Sequence, residues 1–124
     1  MRLLLDSHVF LWAYAEPDRL SAAAAAAIAS PSHEPWLSHA SVWELTIKLS
    51  LGRLRLAGPL SDLMLDSKVR LLPIELGHVE ATARLPPHHG DPFDRMLIAQ
   101  AIEDGLTLVT ADAIIQRYPV AWLW

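Results

Sequence analysis

No cysteine occurs in the 124 residues. That absence removes a disulfide framework, a zinc ribbon and a thiol nucleophile together, and leaves oxygen and imidazole as the available metal-ligand chemistry. Long apolar runs are missing as well. The amino-terminal Leu3-Leu4-Leu5 stops at Asp6, and no stretch approaches the roughly 18 uninterrupted apolar residues of a membrane helix. Neither a signal peptide nor a membrane span is expected, and the chain reads as cytoplasmic. Charge is sparse, at 19% against 52% hydrophobic residues. Such a balance argues against disorder and against a heavily solvated surface, so a partner or self-association surface is expected. The size suits one domain spanning residues 1–124.

The apolar segments are short and alternate in type. Arg2-Leu3-Leu4-Leu5 reads as a strand and His8–Tyr14 as a buried helix. The span Leu20–Ser30, with six consecutive alanines, reads as a helix packed closely on its neighbour. Trp36-Leu37-Ser38 is a second strand, and a helix from about Ser41 to Leu51 stops at Gly52. Further helices are expected over Leu60–Lys68, Glu75–Leu85 and from Asp91-Pro92 to Asp104. Strands are expected at Val69–Pro73, Leu106–Val109 and Val120–Leu123. Short buried strands alternating with helices imply an α/β fold, a parallel sheet covered on both faces.

Five acids stand out, Asp6 and Asp112 after strands, Glu44 within the third helix and Asp91 and Asp94 opening a later one, and each has an ordinary structural explanation. Asp6 and Asp112 follow strands and can cap helices, and Asp91 before Pro92 is a further N-cap. Ser41-Val42-Trp43-Glu44 matches a capping box, and Glu44 stands four residues before Lys48 in the orientation that favours an ion pair. Asp94 shares a helix face with Leu97, Ile98 and Ala101, so it crowns an inward-packing stripe. Jointly the acids say more. Every strand of a parallel sheet delivers its carboxyl end, and the following helix its positive amino end, to one edge. Carboxylates gathered within about 4–6 Å repel and raise one another's pKa unless a cation sits among them. Asp6, Glu44, Asp94 and Asp112 also equal in number the whole excess behind the net charge of −4. Asp91 ranks below Asp94, as a cap that can support Asp94 or a bound water. Hard oxygen donors suit Mg²⁺ or Mn²⁺, and one or two such ions can drive displacement at a phosphodiester.

The residues that carry this pattern also resemble a known family. They are Leu4-Leu5-Asp6-Ser7-His8, Ser38-His39-Ala40-Ser41-Val42-Trp43-Glu44 with Lys48, Asp91-Pro92-Phe93-Asp94-Arg95 running into Leu97-Ile98-Ala99-Gln100-Ala101, and Leu108-Val109-Thr110-Ala111-Asp112. In this order they resemble a PIN domain of the VapC toxin-like branch of type II toxin–antitoxin systems. The resemblance implies a three-layer α/β/α sandwich with strand order 3-2-1-4-5. It also implies Mg²⁺-dependent cleavage of RNA, and neutralisation by a cognate antitoxin. The family's acid roles fall on Asp6, Glu44, Asp94 and Asp112, with Thr110 a polar neighbour and Asp91 a less certain member. A homodimer is expected.

Other features read more plainly. His88-His89 beside Gly90 is expected to be a solvated loop rather than a metal site, and His8 receives no role. Lys48, Arg53, Arg55 and Arg95 are the best candidates for RNA phosphates. The five tryptophans read as core or interface anchors. Two alternatives stand beside the nuclease: a catalytically silent module that keeps the fold and its protein partner, and a phosphorylation-switched receiver. The receiver is disfavoured because Asp6 has no acidic neighbour and Pro73-Ile74-Glu75 follows the third strand.

Overall fold

A computed structural model describes all 124 residues. The strands β1 (Arg2–Leu5), β2 (Glu34–Ser38), β3 (Arg70–Leu72), β4 (Thr107–Val109) and β5 (Trp122–Leu123) form one sheet in the order β3-β2-β1-β4-β5. Every pairing is parallel. A receiver-type sheet runs 2-1-3-4-5, so this order removes that alternative.

Six helices join the strands: α1 (Ser7–Ala15), α2 (Ala22–Ala29), α3 (His39–Ser50), α4 (Leu60–Ser67), α5 (Leu76–Thr82) and α6 (Pro92–Asp104). The strand repeat of two assigns β1 side chains to opposite layers. Leu3 and Leu5 join Val9, Phe10, Ala24, Ala27, Leu37, Leu45 and Val109 on the face covered by α1 to α4. Leu4 joins Leu97, Ile98, Ala101, Leu106, Leu108 and Ile115 on the face covered by α6. The polyalanine helix works as expected, since Ala24 and Ala27 are its buried residues. Helix α5 ends at Thr82, three residues before its expected end; Ala83–Leu85 close through short turn bonds instead. His78 ties α5 to its neighbour, accepting from the Glu75 N–H at 3.0 Å and meeting Asp104 Oδ2 at 3.0 Å.

Helix α4 ends on Lys68 at φ 58°, the single non-glycine residue with positive φ. A side chain there opposes the left-handed conformation that glycine adopts freely. Lys68→Gly is expected to raise stability by about 0.5–1 kcal/mol, read as a higher urea midpoint with an unchanged slope.

β1 and β4 are adjacent, with Leu5 opposite Val109. The next residue on each chain, Asp6 and Thr110, therefore emerges side by side at the carboxyl edge of the sheet.

Candidate active site

Asp6 is buried, and its carboxylate has two fixed partners. The His8 N–H donates to Oδ1 at 3.1 Å and the Thr110 hydroxyl donates to Oδ2 at 2.8 Å. The first bond is the N-cap of α1, so capping and site formation coincide in one side chain. Burial raises the Asp6 pKa above the ordinary carboxylate range, against the lowering effect of those bonds. Thr110 also accepts from the Asp112 N–H at 3.1 Å. Asp112 accepts from the Ile114 N–H at 2.8 Å, just ahead of the short turn Ile115–Arg117.

Glu44 arrives from α3. The capping box expected at Ser41 does not form, because the N-cap of α3 is Ser38, three residues earlier, whose hydroxyl accepts from the Ala40 N–H at 3.0 Å. Ser41 thus falls inside the helix, where its buried hydroxyl has no partner. Glu44 is freed to point at the sheet edge. Ser7 donates to its Oε1 at 2.8 Å and Lys48 meets its Oε2 at 3.3 Å, the expected ion pair.

Asp91 caps α6, accepting from the N–H groups of Phe93 and Asp94. Asp94, one turn in, retains only 17% of its side-chain exposure, and its Oδ2 lies 3.3 Å from His89 Nε2. Its pKa is pushed up to about 8, first by burial and then by the charges of Asp91, Asp6, Glu44 and Asp112. That list contains every other acid singled out from the sequence. All five line one cavity of about 530 Å³ together with His8, Trp12, Arg19 and Lys48.

The donor set fits a hard divalent cation, with carboxylate oxygens crowded enough to repel and no competing thiolate. In this side-chain arrangement no three of them close around one point as ligands, and each acid also has a local partner. What the fold supplies is therefore convergence on a common cavity rather than a closed ligand shell.

Two expectations about basic and histidine residues are overturned. Arg95 does not face the cavity for RNA phosphates. Its guanidinium donates to the carbonyls of Pro86 and Thr82 at 2.9 and 3.0 Å and to the Tyr118 hydroxyl at 3.1 Å, clasping the loop before α6. The His88-His89 loop is not simply solvated, since both rings pack on Tyr118 and His89 reaches Asp94. The remaining cations behave differently. Lys48, Arg53 and Arg55 line a second groove of about 360 Å³, together with Arg19, and this groove shares His8, Trp12, Arg19 and Lys48 with the acidic cavity.

Several site residues escaped sequence reasoning. Ser7 lies inside the Leu4–His8 segment, yet only the meeting of α1 and α3 shows that it serves Glu44. His8, which had no role, lies 3.8 Å from Asp6. Arg19 stacks over Trp12 at 4.7 Å, a contact with no local sequence signal. The tryptophans divide: Trp12 packs against Trp124 while lining the cavity, and Trp43 is 63% exposed beside Phe93.

Comparison with known proteins agrees with this architecture. A family model described as PIN domain matches residues 3–121. The chain is 40% identical over 121 residues to Ribonuclease VapC22 of Mycobacterium tuberculosis (strain ATCC 25618 / H37Rv), covering 94% of this chain and 91% of that protein. Among solved structures, VapBC2 from Rickettsia felis, bound to a DNA fragment from its promoter, aligns over 99% of this chain and 98% of its own at TM-score 0.70 and 12% identity. VapBC-1 from nontypeable Haemophilus influenzae aligns over 99% and 97% at TM-score 0.58 and 15% identity. At such identities these two likenesses concern the fold.

Proposed function

Because this chain belongs to the PIN-domain family, in its VapC branch, we propose that it is a divalent-metal-dependent endoribonuclease acting as the toxin of a toxin–antitoxin pair. The observation that carries the reading is the delivery of Asp6, Glu44, Asp94 and Asp112 from four separate segments to one cavity. The name of its 40% identical relative supports the choice of RNA.

In this reading those four acids hold Mg²⁺ or Mn²⁺, and Asp91 supports them from the rim. When bound, the cation supplies Lewis-acid polarisation of the phosphodiester and a water of lowered pKa. The protein's own contribution is placement. Thr110 and the His8 N–H hold Asp6, while Ser7 and Lys48 hold Glu44, so these carboxylates need little reorganisation. With one ion bound, whichever of these carboxylates does not ligate it would orient the attacking water and accept its proton. Lys48, Arg53, Arg55 and Arg19 give the RNA backbone a cationic approach next to the acids.

The antitoxin and a second copy of the chain are the proposed partners. The VapBC neighbours support the first, and exposed apolar side chains such as Trp43, Leu65 and Leu76 leave surface for either. Expression of the chain alone is expected to arrest growth, and co-expression of the neighbouring open reading frame to relieve it.

The direct test is incubation of the purified chain with single-stranded RNA. Cleavage is expected with Mg²⁺ or Mn²⁺, should stop with EDTA and should return with excess metal. One observation favours the silent-module alternative, namely that every acid already has a protein partner. No cleavage, together with no calorimetric heat at millimolar Mn²⁺, would decide for that alternative.

A further inference from the structure

The loop before α6 places an imidazole against the site for which the proposed reaction has no use so far. His89 is 15% exposed in its side chain and has partners at both ring nitrogens: Tyr118 Oη at 2.9 Å from Nδ1, and Asp94 Oδ2 at 3.3 Å from Nε2. A neutral imidazole donates at one nitrogen and accepts at the other. The surroundings of Tyr118 decide between the two forms. Its hydroxyl receives an N–H from Arg95 Nη1 at 3.1 Å and the backbone N–H of His89 at 3.2 Å. Two incoming donors fill the two lone pairs, so the phenol must spend its own proton as a donor. His89 Nδ1 is the nearest acceptor, ahead of the His89 carbonyl at 3.4 Å. Nδ1 therefore accepts, and the ring proton lies on Nε2, toward Asp94.

We propose that His89 is a positioning residue, held by Tyr118 and Arg95 in its Nε2-protonated form so that it donates to Asp94 and fixes that carboxylate for the cation. The proposal rests on the reading of Asp94 as a metal ligand. Its geometry is a closed circuit. Asp94 and Arg95 are sequence neighbours on α6, and their side chains are rejoined through Tyr118, beyond β4, and His89, in the loop. The loop cannot turn the ring away without also releasing its own backbone, because the His89 N–H is held by Tyr118 and its carbonyl lies 3.4 Å from Arg95 Nη1. Groups that hydrogen-bond a metal-binding side chain in this way set its orientation, and their loss weakens metal binding by about 10–100-fold.

Two measurements test it. Imidazole ¹H–¹⁵N correlation spectra of the metal-free, ¹⁵N-labelled chain at pH 9.5, where Asp94 is ionised, should show His89 with protonated Nε2 and bare Nδ1, and Tyr118→Phe should remove that preference. Calorimetry should show Mn²⁺ binding weakened about 10–100-fold in His89→Ala, with the KM for RNA unchanged. His89→Gln should recover most of the loss, because its amide N–H can reach the place of Nε2–H. A proton on Nδ1 in the parent chain, or equal Mn²⁺ affinity in the parent and His89→Ala, would overturn the proposal. Should His89→Ala fail to fold, the spectra and the glutamine variant carry the same decision. Absence of Mn²⁺ binding in the parent chain itself defeats the metal-site reading and the positioning role with it, whereas unchanged binding in the variant defeats the positioning role alone.

Discussion

Asp94→Asn is expected to abolish RNA cleavage and, in the same protein, to raise the stability of the metal-free fold. The first effect should be on the order of 10³-fold or more, equivalent to about 4 kcal/mol of lost transition-state stabilisation, because the amide cannot supply the charge that a divalent cation needs. The second follows from electrostatics. Asp94 has a folded-state pKa of about 8 against an ordinary value of 3.8, so the folded chain holds its proton more tightly than the unfolded chain does. With metal chelated, stability contributed by this group is greatest at the acid end. It falls as pH rises through the window between those two values, and levels off above about 8. Asparagine removes that loss. The variant should therefore melt higher than the parent in EDTA at pH 8, by roughly 1–2 kcal/mol or about 4–8 °C, and the gap should close toward pH 4. Saturating Mn²⁺ should reverse the order by stabilising the parent alone. Thermal scans at the two pH values, with and without metal, give all four comparisons. A variant less stable than the parent in EDTA at pH 8 would mean that local bonds at Asp94 outweigh the repulsion.

Arg95→Ala is expected to destabilise the fold by about 3 kcal/mol, since hydrogen bonds from a charged group contribute about 1.5–3 kcal/mol each and are not additive. The side chain joins the carbonyls of Thr82 and Pro86 to Tyr118, and through them binds the end of α5 and the loop before α6 to the residues beyond β4. Lysine should rescue little, because one ammonium cannot serve acceptors spread across the planar fork. Urea unfolding measures the loss as a lower midpoint. If Arg95→Ala instead kept its stability and lost RNA affinity, the phosphate-binding role suggested by its place beside Asp94 would be restored.

These two neighbours show where sequence reading reaches its limit. Both belong to one helix turn and one motif, yet Asp94 turns toward the cavity and Arg95 toward the loop. Periodicity placed Asp94, because the stripe of Leu97, Ile98 and Ala101 is a local property of an α-helix. Nothing local told that Arg95 would find carbonyls, since those acceptors lie 9 to 13 residues upstream. The capping box at Ser41 failed for a related reason. A serine three residues before a glutamate satisfies the pattern, but Ser38 competes for the same helix start and wins because β2 ends on it.

By itself the sequence determined the alternation of buried strands and helices, the absence of thiolate donors and which acids gather at one edge of the sheet. Those depend on composition, on periods of two and 3.6 residues, and on positions just after strands. Only the tertiary structure decided which groups hold the acids. Ser7 reaches Glu44 across 37 residues, Thr110 reaches Asp6 across 104, and Tyr118 reaches His89 across 29. Such partners are chosen by sheet order and helix packing, which bring distant segments to one edge, and no local propensity records that choice.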